Sequence, residues 1–438
     1  MFNFDNIEYP VYAMYQAERD MLAPMQFMAN LTAAWLAPWT TSPFNIVGRH
    51  MEATCKLLGR SGLRHERPDY RITTAEVDGK TVKVHEEVAA KSPFATLIHF
   101  VKEMPEGESR GPSVLVVAAL SGHFATLTRG TVQTLLKDHD VYITDWHSAR
   151  DMPVSAGKFG LDEYIDHVID YCEILGPTNN VVAICQSGPP VLAAISILAQ
   201  RNSPNQPRTV TYMASPIDPR KSPNKINKMA DSKTIEFFHQ MIQTVPGRYK
   251  GAGRKVYPGF LQVSAFIMMN VDNHINKHID LYNAIVNKDE KKEATITEFY
   301  DEYITVLDMT AECYLETIER IFLKYDLPKG VFYHHGVRVT PSAIKKTFCL
   351  VVEGENDDMC GLGQTSAAHD LCTGLDNSQK QYYLQTGVGH YGVFNGSKYN
   401  KFIYPIIRDM IAANVPVATS NVVPVDFTSR NTNINLAA

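Results

Sequence analysis

Between residues 114 and 214, short apolar runs alternate with segments of helical periodicity. Predicted strands lie at 114–119, 140–144, 180–184 and 209–214, with predicted helices at 131–136 and 161–175. The rhythm returns after residue 346, with strands at 347–352 and 381–385 and a helix at 398–413. Strands that are apolar on both faces and joined by helical crossovers are typical of a parallel sheet covered by helices. The chain is therefore predicted to be an α/β protein with a mostly parallel central sheet.

The rest of the chain is predicted to add helices around this sheet. The predicted organisation is an N-terminal helical segment (1–66), the first part of the core (67–222), a mainly helical lid (223–345), the second part of the core (346–414) and a flexible tail (415–438). Within the lid, residues 295–325 have the clearest helical spacing. Residues 78 and 79, Asp-Gly between two alternating runs, predict a β-hairpin. Residues 9–40, rich in Met and aromatic residues, predict one or two helices that either pack on the core or present a surface to an apolar partner.

Charge and cysteine content exclude several classes of protein. The 438 residues carry a formal net charge of -5, which gives no basic face for nucleic acid. No apolar run is long enough for a membrane span, and the first residues include Asp5 where a secretion signal needs basic residues. Seven scattered cysteines without a C-x-x-C pair argue against a disulfide framework or a zinc site. The protein is expected to be cytoplasmic, without a metal or an organic cofactor.

The strongest chemical signal is a strand, a sharp turn and a helix around residue 185. The run Val181 to Ile184 leads into Cys185-Gln186-Ser187-Gly188, and a helix follows. This is the context of a nucleophile elbow, and it predicts an α/β-hydrolase fold with a large helical lid insertion. The flanking residues are small but are not the usual glycines. Cys185 is the predicted nucleophile, because a helix N-terminus and a nearby imidazole favour the reactive thiolate. Ser187 remains the alternative.

The other members of a catalytic triad are expected in the loops after two late strands, in the order nucleophile, acid, base. His390 lies in a glycine-rich loop after the last predicted strand and is the candidate base. Asp357 and Asp358 follow the preceding strand, and spacing alone does not separate them. The oxyanion hole is assigned to the backbone N–H groups of Gln186 and Ser121.

The loop after the strand at 114–119 also contains two neighbours of Ser121. Gly122 is a close second choice as oxyanion donor, and His123 suits a pocket wall or a structural hydrogen bond better than the role of base. His274 and His278 have the i,i+4 spacing of a helical metal pair, but no Glu follows His274 as a metalloprotease motif requires. No metal is therefore predicted.

Several motifs together resemble those of intracellular polyhydroxyalkanoate (polyhydroxybutyrate) depolymerases. The similarity runs from about residue 68 to 412 and rests on the motifs ALSGH at 119–123, VYITDW at 141–146, CQ at 185–186, PIDPRKSP at 216–223, VYPGF at 256–260, VEGENDD at 352–358 and GHYG at 389–392. The resemblance places the catalytic cysteine, acid and histidine on Cys185, Asp357 and His390. It also implies hydrolysis of a water-insoluble polyester of 3-hydroxy acids through a cysteine acyl-enzyme.

The resemblance further implies polymer or a storage granule as the partner and a location at such granules. The lid is expected to form an apolar substrate surface with Tyr257, Phe260, Phe266, Met268 and Met269, and Gly122 and His123 are expected to help bind substrate. Three alternatives stay open: a polyhydroxyalkanoate synthase-like acyltransferase, a granule-surface binding protein, and a serine-type esterase of small substrates. The oligomeric state is left open, with a homodimer as one option.

Overall fold

A nine-stranded sheet forms the centre of the protein. The computed structural model describes residues 11–42 and 44–414, and the predicted tail from residue 415 lies outside this range. The strands of the described part are β1 Thr74–Val77, β2 Lys80–Lys91, β3 Ala95–Lys102, β4 Ser113–Val117, β5 Asp140–Trp146, β6 Asn180–Ile184, β7 Thr209–Met213, β8 Gln243–Thr244, β9 Lys255–Tyr257, β10 Met309–Thr310, β11 Tyr333–His334, β12 Val337–Arg338, β13 Phe348–Gly354 and β14 Lys380–Gln385.

The main sheet has the strand order β1-β2-β3-β5-β4-β6-β7-β13-β14. The six strands from β5 to β14 in this order are parallel to one another, and the three at the other edge pair antiparallel. The Asp78-Gly79 turn between β1 and β2 has positive φ at both residues, as the sequence predicts. Strands β4, β6 and β7 are almost entirely buried, because helices cover both faces of the sheet. The predicted α/β-hydrolase fold class is confirmed.

The helices precede the sheet, cover it or lie in the long connection between β7 and β13. They are α1 Val11–Leu36, α2 Ile46–Gly59, α3 Arg129–Leu135, α4 Leu161–Leu175, α5 Gly188–Gln200, α6 Lys225–Asp231, α7 Ile235–His239, α8 Gly259–Met269, α9 Val271–Asn287, α10 Glu290–Tyr303, α11 Ala311–Thr317, α12 Ala367–Leu371 and α13 Tyr404–Ala413. Helices α4 and α5 pack against each other beside the parallel strands. Among the described residues, no helix is both long enough and apolar enough to cross a membrane.

The helical pattern predicted at 295–325 is wrong as a continuous helix. Helix α10 ends at Tyr303, and the chain then forms the short strand β10, which pairs with β9. Asp308 lies in this break, fully buried, and accepts hydrogen bonds from the Tyr12 hydroxyl and the Gly259 N–H. Thr310 then caps the next helix, α11, by accepting a bond from Cys313 N. A buried carboxylate that must meet distant donors outweighs the local helical preference here.

Candidate active site

The turn between β6 and α5 carries Cys185 in a strained conformation. Its φ is +57°, in the left-handed region that residues other than glycine rarely adopt. Strain of this kind is found at functional sites, where surrounding packing holds the residue in place. Ala183 is fully buried and Gly188 packs against Ser215, so the elbow is crowded on both sides. The small flanking residues of the sequence are therefore required by the space around the turn.

Gly188 lies one residue beyond the usual second glycine of an elbow. The packing around it leaves no room for a larger side chain. A Cβ at this position would meet Cβ and Oγ of Ser215 well inside van der Waals contact, with Ile217 Cδ1 3.3 Å away. We expect Gly188→Ala to lower the free energy of unfolding by about 1–3 kcal/mol through overpacking, as measured by urea denaturation. Gly247→Ala is the matched control, since an added Cβ there meets no atom within 4 Å. Equal stability of the two variants would contradict this account of the elbow.

Ser187, the alternative nucleophile, points away from any substrate. Its side chain is completely buried, and its hydroxyl donates to the carbonyl oxygens of Val117 (2.8 Å) and Ile184 (2.9 Å). Those bonds tie the turn to the neighbouring strand β4. The hydroxyl therefore has a structural role in this conformation.

His390 and Asp357 form a buried hydrogen-bonded pair. The two carboxylate oxygens of Asp357 lie 3.0 and 2.9 Å from His390 Nδ1. The carboxylate also accepts from the backbone N–H groups of Met359 (2.9 Å) and Cys360 (2.8 Å), which fix its orientation. Asp358 is exposed and its nearest partner is the Asn270 amide at 3.3 Å. The structure thus brings Asp357, and not Asp358, to the histidine.

The charge of His390 is set by its neighbours. Burial acts to lower the pKa of the imidazole, but the charge of Asp357, the Cys185 thiolate and hydrogen bonds to both raise it well above its ordinary value. His390 is thus held by the Asp357 carboxylate, and it lines the same cavity as Cys185. The arrangement can hold a proton next to Cys185 and can transfer it to a group that leaves there.

The loop after β4 borders the same cavity as Cys185 and His390, at the position expected for the oxyanion hole. Ser121 lines the same cavity as Cys185 and His390. The loop is held by the Ala118 carbonyl, which accepts from Trp146 Nε1 (2.9 Å) and the Tyr164 hydroxyl (3.1 Å). Gln186 lies in the first turn before α5, where backbone N–H groups have no intrahelical acceptor. Both predicted donors therefore border the cavity.

Gly122 and His123 connect the loop after β4 to the helical insertion. Gly122 has φ +90° and its carbonyl accepts from Leu307 N at 2.9 Å. His123 is fully buried, its Nε2 lies 3.1 Å from the Tyr303 carbonyl, and burial lowers its pKa to about 4. A neutral, hydrogen-bonded imidazole of this kind forms a wall of a smaller pocket that Cys185 and His390 also line.

A cavity of about 380 Å³ opens above Cys185. Apolar and aromatic side chains of the insertion form most of its lining, among them Phe238, Tyr257, Phe266, Met268, Met309, Tyr314 and Phe322. Two glutamine side chains, Gln186 and Gln262, also reach it, and neither Oε1 atom has a hydrogen-bond partner in the described part of the chain. An apolar space with a few polar groups fits an ester with aliphatic substituents.

The predicted substrate residues divide into two groups. Tyr257 lines the cavity and stacks on Tyr314, with ring centroids 3.8 Å apart. Phe260 does not line it: its ring stacks on Tyr15 of α1, 4.0 Å between centroids, inside a separate apolar cluster. The placement therefore argues against substrate contact by Phe260, because α1 occupies its exposed face. The side chain of Met269 lies outside the described part of the structure.

Several residues that line the cavity were not predicted from the sequence, and Met359 and Gln262 are two of them. Met359 follows the aspartate pair and lies on the cavity wall, and Gln262 reaches the cavity from α8. The spacing of Gln262, Ala265 and Phe266 places them on one face of that helix, and this spacing could have indicated them.

Part of the chain matches a known protein family. Residues 214–415 match the family described as PHB de-polymerase C-terminus. No curated protein matches the chain. Among solved structures, a hypothetical protein from Pseudomonas aeruginosa is 11% identical (81% of this chain, 100% of that chain, TM-score 0.45), and an α/β hydrolase from Penicillium sp. sh18 is 13% identical (76% and 99%, TM-score 0.44). An esterase from Thermogutta terrifontis is 14% identical (77% and 97%, TM-score 0.40). The strand order is that of the α/β-hydrolase fold, and over residues 214–415, just under half of its length, the chain is similar to the C-terminal part of PHB depolymerases.

Proposed function

We propose that the protein hydrolyses the ester bonds of a polyester of 3-hydroxy acids through a thioester on Cys185. The observation that carries the proposal is a strained cysteine on an apolar cavity that His390 also lines, with His390 held by the buried Asp357 carboxylate. The match to the depolymerase family supports the choice of substrate. Attack by a thiolate is the chemistry that this arrangement of groups favours.

In the first step, the Cys185 sulfur bonds to the ester carbonyl carbon. The negative charge on the carbonyl oxygen is stabilised by the N–H groups of Gln186 and Ser121, and each such donor contributes about 3 kcal/mol. The bond between carbon and the alkoxide oxygen then breaks, and His390 gives its proton to that oxygen. The shortened polymer leaves with a new hydroxyl group.

In the second step, water replaces the thiolate. His390 removes a proton from a water molecule, whose oxygen attacks the thioester carbon. The carbon–sulfur bond breaks, which releases a free hydroxy acid or oligomer and regenerates the thiolate beside the imidazolium. Asp357 keeps the imidazole oriented through both steps and stabilises its charged form.

The test is the release of hydroxy acid from amorphous polyhydroxybutyrate granules by the purified protein, with and without coenzyme A. Release without coenzyme A, at a rate that coenzyme A leaves unchanged, is the expected result. Acyl transfer that requires coenzyme A would favour a synthase-like enzyme instead. Granule binding with no release under either condition would favour a binding protein.

We further propose that the N-terminal helices hold the enzyme on the insoluble substrate. Residues 21–48 contain no Asp, Glu, Lys, Arg or His. Met21, Met28 and Trp35 recur every seven residues on one face of α1, and all three are more than half exposed. We call the exposed large apolar residues of this region the apolar face: Met14, Met21, Met25, Phe27, Met28, Leu31, Trp35, Trp39, Phe44, Ile46, Val47 and Met51.

The apolar face continues towards the cavity. Helix α2 packs on α9, where Val271, Ile275 and Ile279 are exposed at i,i+4 spacing. Just before α9, Met268 is 69% exposed and also lines the cavity above Cys185. An uncharged polyester surface matches the charge-free segment 21–48, whereas an anionic membrane or a charged partner would need basic or acidic residues there. The proposed occupant is therefore the polymer itself.

We expect the triple substitution Met28→Gln, Leu31→Gln and Trp35→Gln to weaken binding to polymer granules about 100-fold. Each side chain, which becomes partly buried on the granule, contributes about 1 kcal/mol by area. Sedimentation with granules measures binding, and hydrolysis of a small soluble ester should change less than twofold. The matched control replaces Val88, Val154 and Tyr382 with Gln, three exposed residues in separate elements. Unchanged sedimentation of the first variant would contradict the assigned surface.

A further inference from the structure

The last part of the helical insertion ends in a tight hairpin with an unusual turn. Strands β11 and β12 are joined by His335 and Gly336, with φ of +44° and +76°. Positive φ at both positions is the geometry of a two-residue turn that favours Asn-Gly. Residues other than glycine are uncommon in this conformation, and such a residue at a turn can have a functional reason.

The turn places two adjacent imidazoles on one carboxylate of the core. His334 Nε2 lies 2.8 Å from Asp166 Oδ1, and His335 Nε2 lies 2.7 Å from Asp166 Oδ2. His334 is buried, whereas His335 and Asp166 are accessible from solvent. One ligating atom from each of the three side chains lies within 4.8 Å of the others. The group joins α4 of the core to the end of the insertion.

We infer that Asp166, His334 and His335 bind a divalent cation of the zinc type, with two imidazole nitrogens, one carboxylate oxygen and water as ligands. Zinc takes imidazole nitrogen and carboxylate oxygen at about 2.0–2.2 Å, in tetrahedral geometry. Ligand atoms at those distances lie about 3.3 Å apart. The two imidazole nitrogens lie 2.8 and 2.7 Å from the two different oxygens of Asp166, and one ligating atom from each side chain lies within 4.8 Å of the others, so small side-chain movements would bring all three to one ion.

A second carboxylate, that of Asp162, lies close to the exposed imidazole of His335. Asp162 Oδ2 accepts from the His335 backbone N–H at 3.2 Å and lies 3.8 Å from His335 Nδ1. Its other oxygen accepts from Arg320 Nη1 at 3.1 Å, and this bond holds the carboxylate in place. Histidines that bind metals through one ring nitrogen usually direct the other towards such a carboxylate, which sets the tautomer. Asp162 is thus placed to orient His335 for binding a metal.

The position of the site indicates a structural effect. Asp166 and Asp162 lie on α4, and Tyr164 of the same helix bonds to the Ala118 carbonyl beside the oxyanion loop. A cation held by α4 and the hairpin would fasten the end of the helical insertion to the core. The inference does not depend on the proposed reaction, since none of the three proposed metal ligands is one of the catalytic residues.

The test uses full-length Cys185→Ala protein, because a cysteine paired with a histidine could itself bind zinc. After treatment with chelator and desalting, Co²⁺ is titrated by visible absorption, Zn²⁺ affinity is measured by competition, and thermal unfolding is followed with and without Zn²⁺. We expect one equivalent of Zn²⁺ to bind and to raise Tm. His335→Asn, which suits the left-handed turn, and Asp166→Asn are each expected to weaken binding about tenfold or more.

His278→Asn in the same background is the matched control. His278 is also an exposed histidine, four residues after His274, but its Nδ1 is hydrogen-bonded to the His274 carbonyl oxygen. Zinc affinity and the rise in Tm should be unchanged in this control. The inference is overturned if the parent protein binds no zinc, or if His335→Asn and Asp166→Asn retain the affinity of the parent.

Discussion

Cys185→Ala is expected to reduce the release of hydroxy acid from amorphous granules by about 10⁴-fold or more, because it removes the atom that forms the thioester. The oxyanion donors and the cavity would remain, so granule binding should stay within twofold of the wild type. Acid release is followed by titration and binding by sedimentation. A loss of release with binding intact separates a failure of chemistry from a failure of folding.

Ser187→Ala is the matched control for the nucleophile. The Ser187 hydroxyl donates to two backbone carbonyl oxygens in the core, so its loss should lower the free energy of unfolding by about 1 kcal/mol and change the rate less than threefold. Full activity of Cys185→Ala, with loss of activity in Ser187→Ala, would assign the nucleophile to the serine instead.

Asp357→Asn is expected to lower the rate about 10⁴-fold while substrate binding is kept. The amide can no longer stabilise an imidazolium, and it can present a donor to the Nδ1 atom that should itself donate. Asp358→Asn is the matched control, since this exposed neighbour has no contact with His390 among the described residues. Equal losses in both variants would contradict the assignment of the acid.

The same substitution should reduce the effect of pH on stability. In the wild type, the pKa of His390 is raised above its unfolded value of about 6.5, so the stability it contributes is complete below that pH and is lost as pH rises through the folded pKa. In Asp357→Asn the charge of Asp357 no longer opposes the effect of burial, so the folded pKa moves down towards the unfolded value. Unfolding by urea between pH 5 and 9, with NMR titration of the imidazole, measures both changes.

The elbow and the late loops could be predicted because their signals are local. An apolar strand, a turn of small residues and a helix lie within twenty residues of Cys185, and one histidine occupies the expected glycine-rich loop. The helix at 161–175 and the strand at 180–184 have in the structure the limits that their periodicity predicts. Hydrophobic period and turn chemistry act between neighbours in the chain, so they can be recognised without the fold.

The choice between neighbouring candidates depended on distant contacts. Spacing did not separate Asp357 from Asp358, and the backbone amides of Met359 and Cys360 orient only the first of them towards His390. Phe260 is aromatic and was predicted to contact substrate. In the structure its ring is covered by Tyr15 of α1, nearly 250 residues earlier in the sequence. The break before β10 likewise follows from the bond between Asp308 and Tyr12.

The sequence by itself therefore determined the fold class, the elbow and the candidate base, because these follow from the periodicity and turn preferences of short segments. Only the tertiary structure decided which aspartate meets His390, that α1 and α2 expose large apolar side chains, and that Asp166 meets two histidines 168 and 169 residues later. Burial and the meeting of charged groups depend on which distant segments pack together. That information lies in the contacts of the folded chain and not in any single segment.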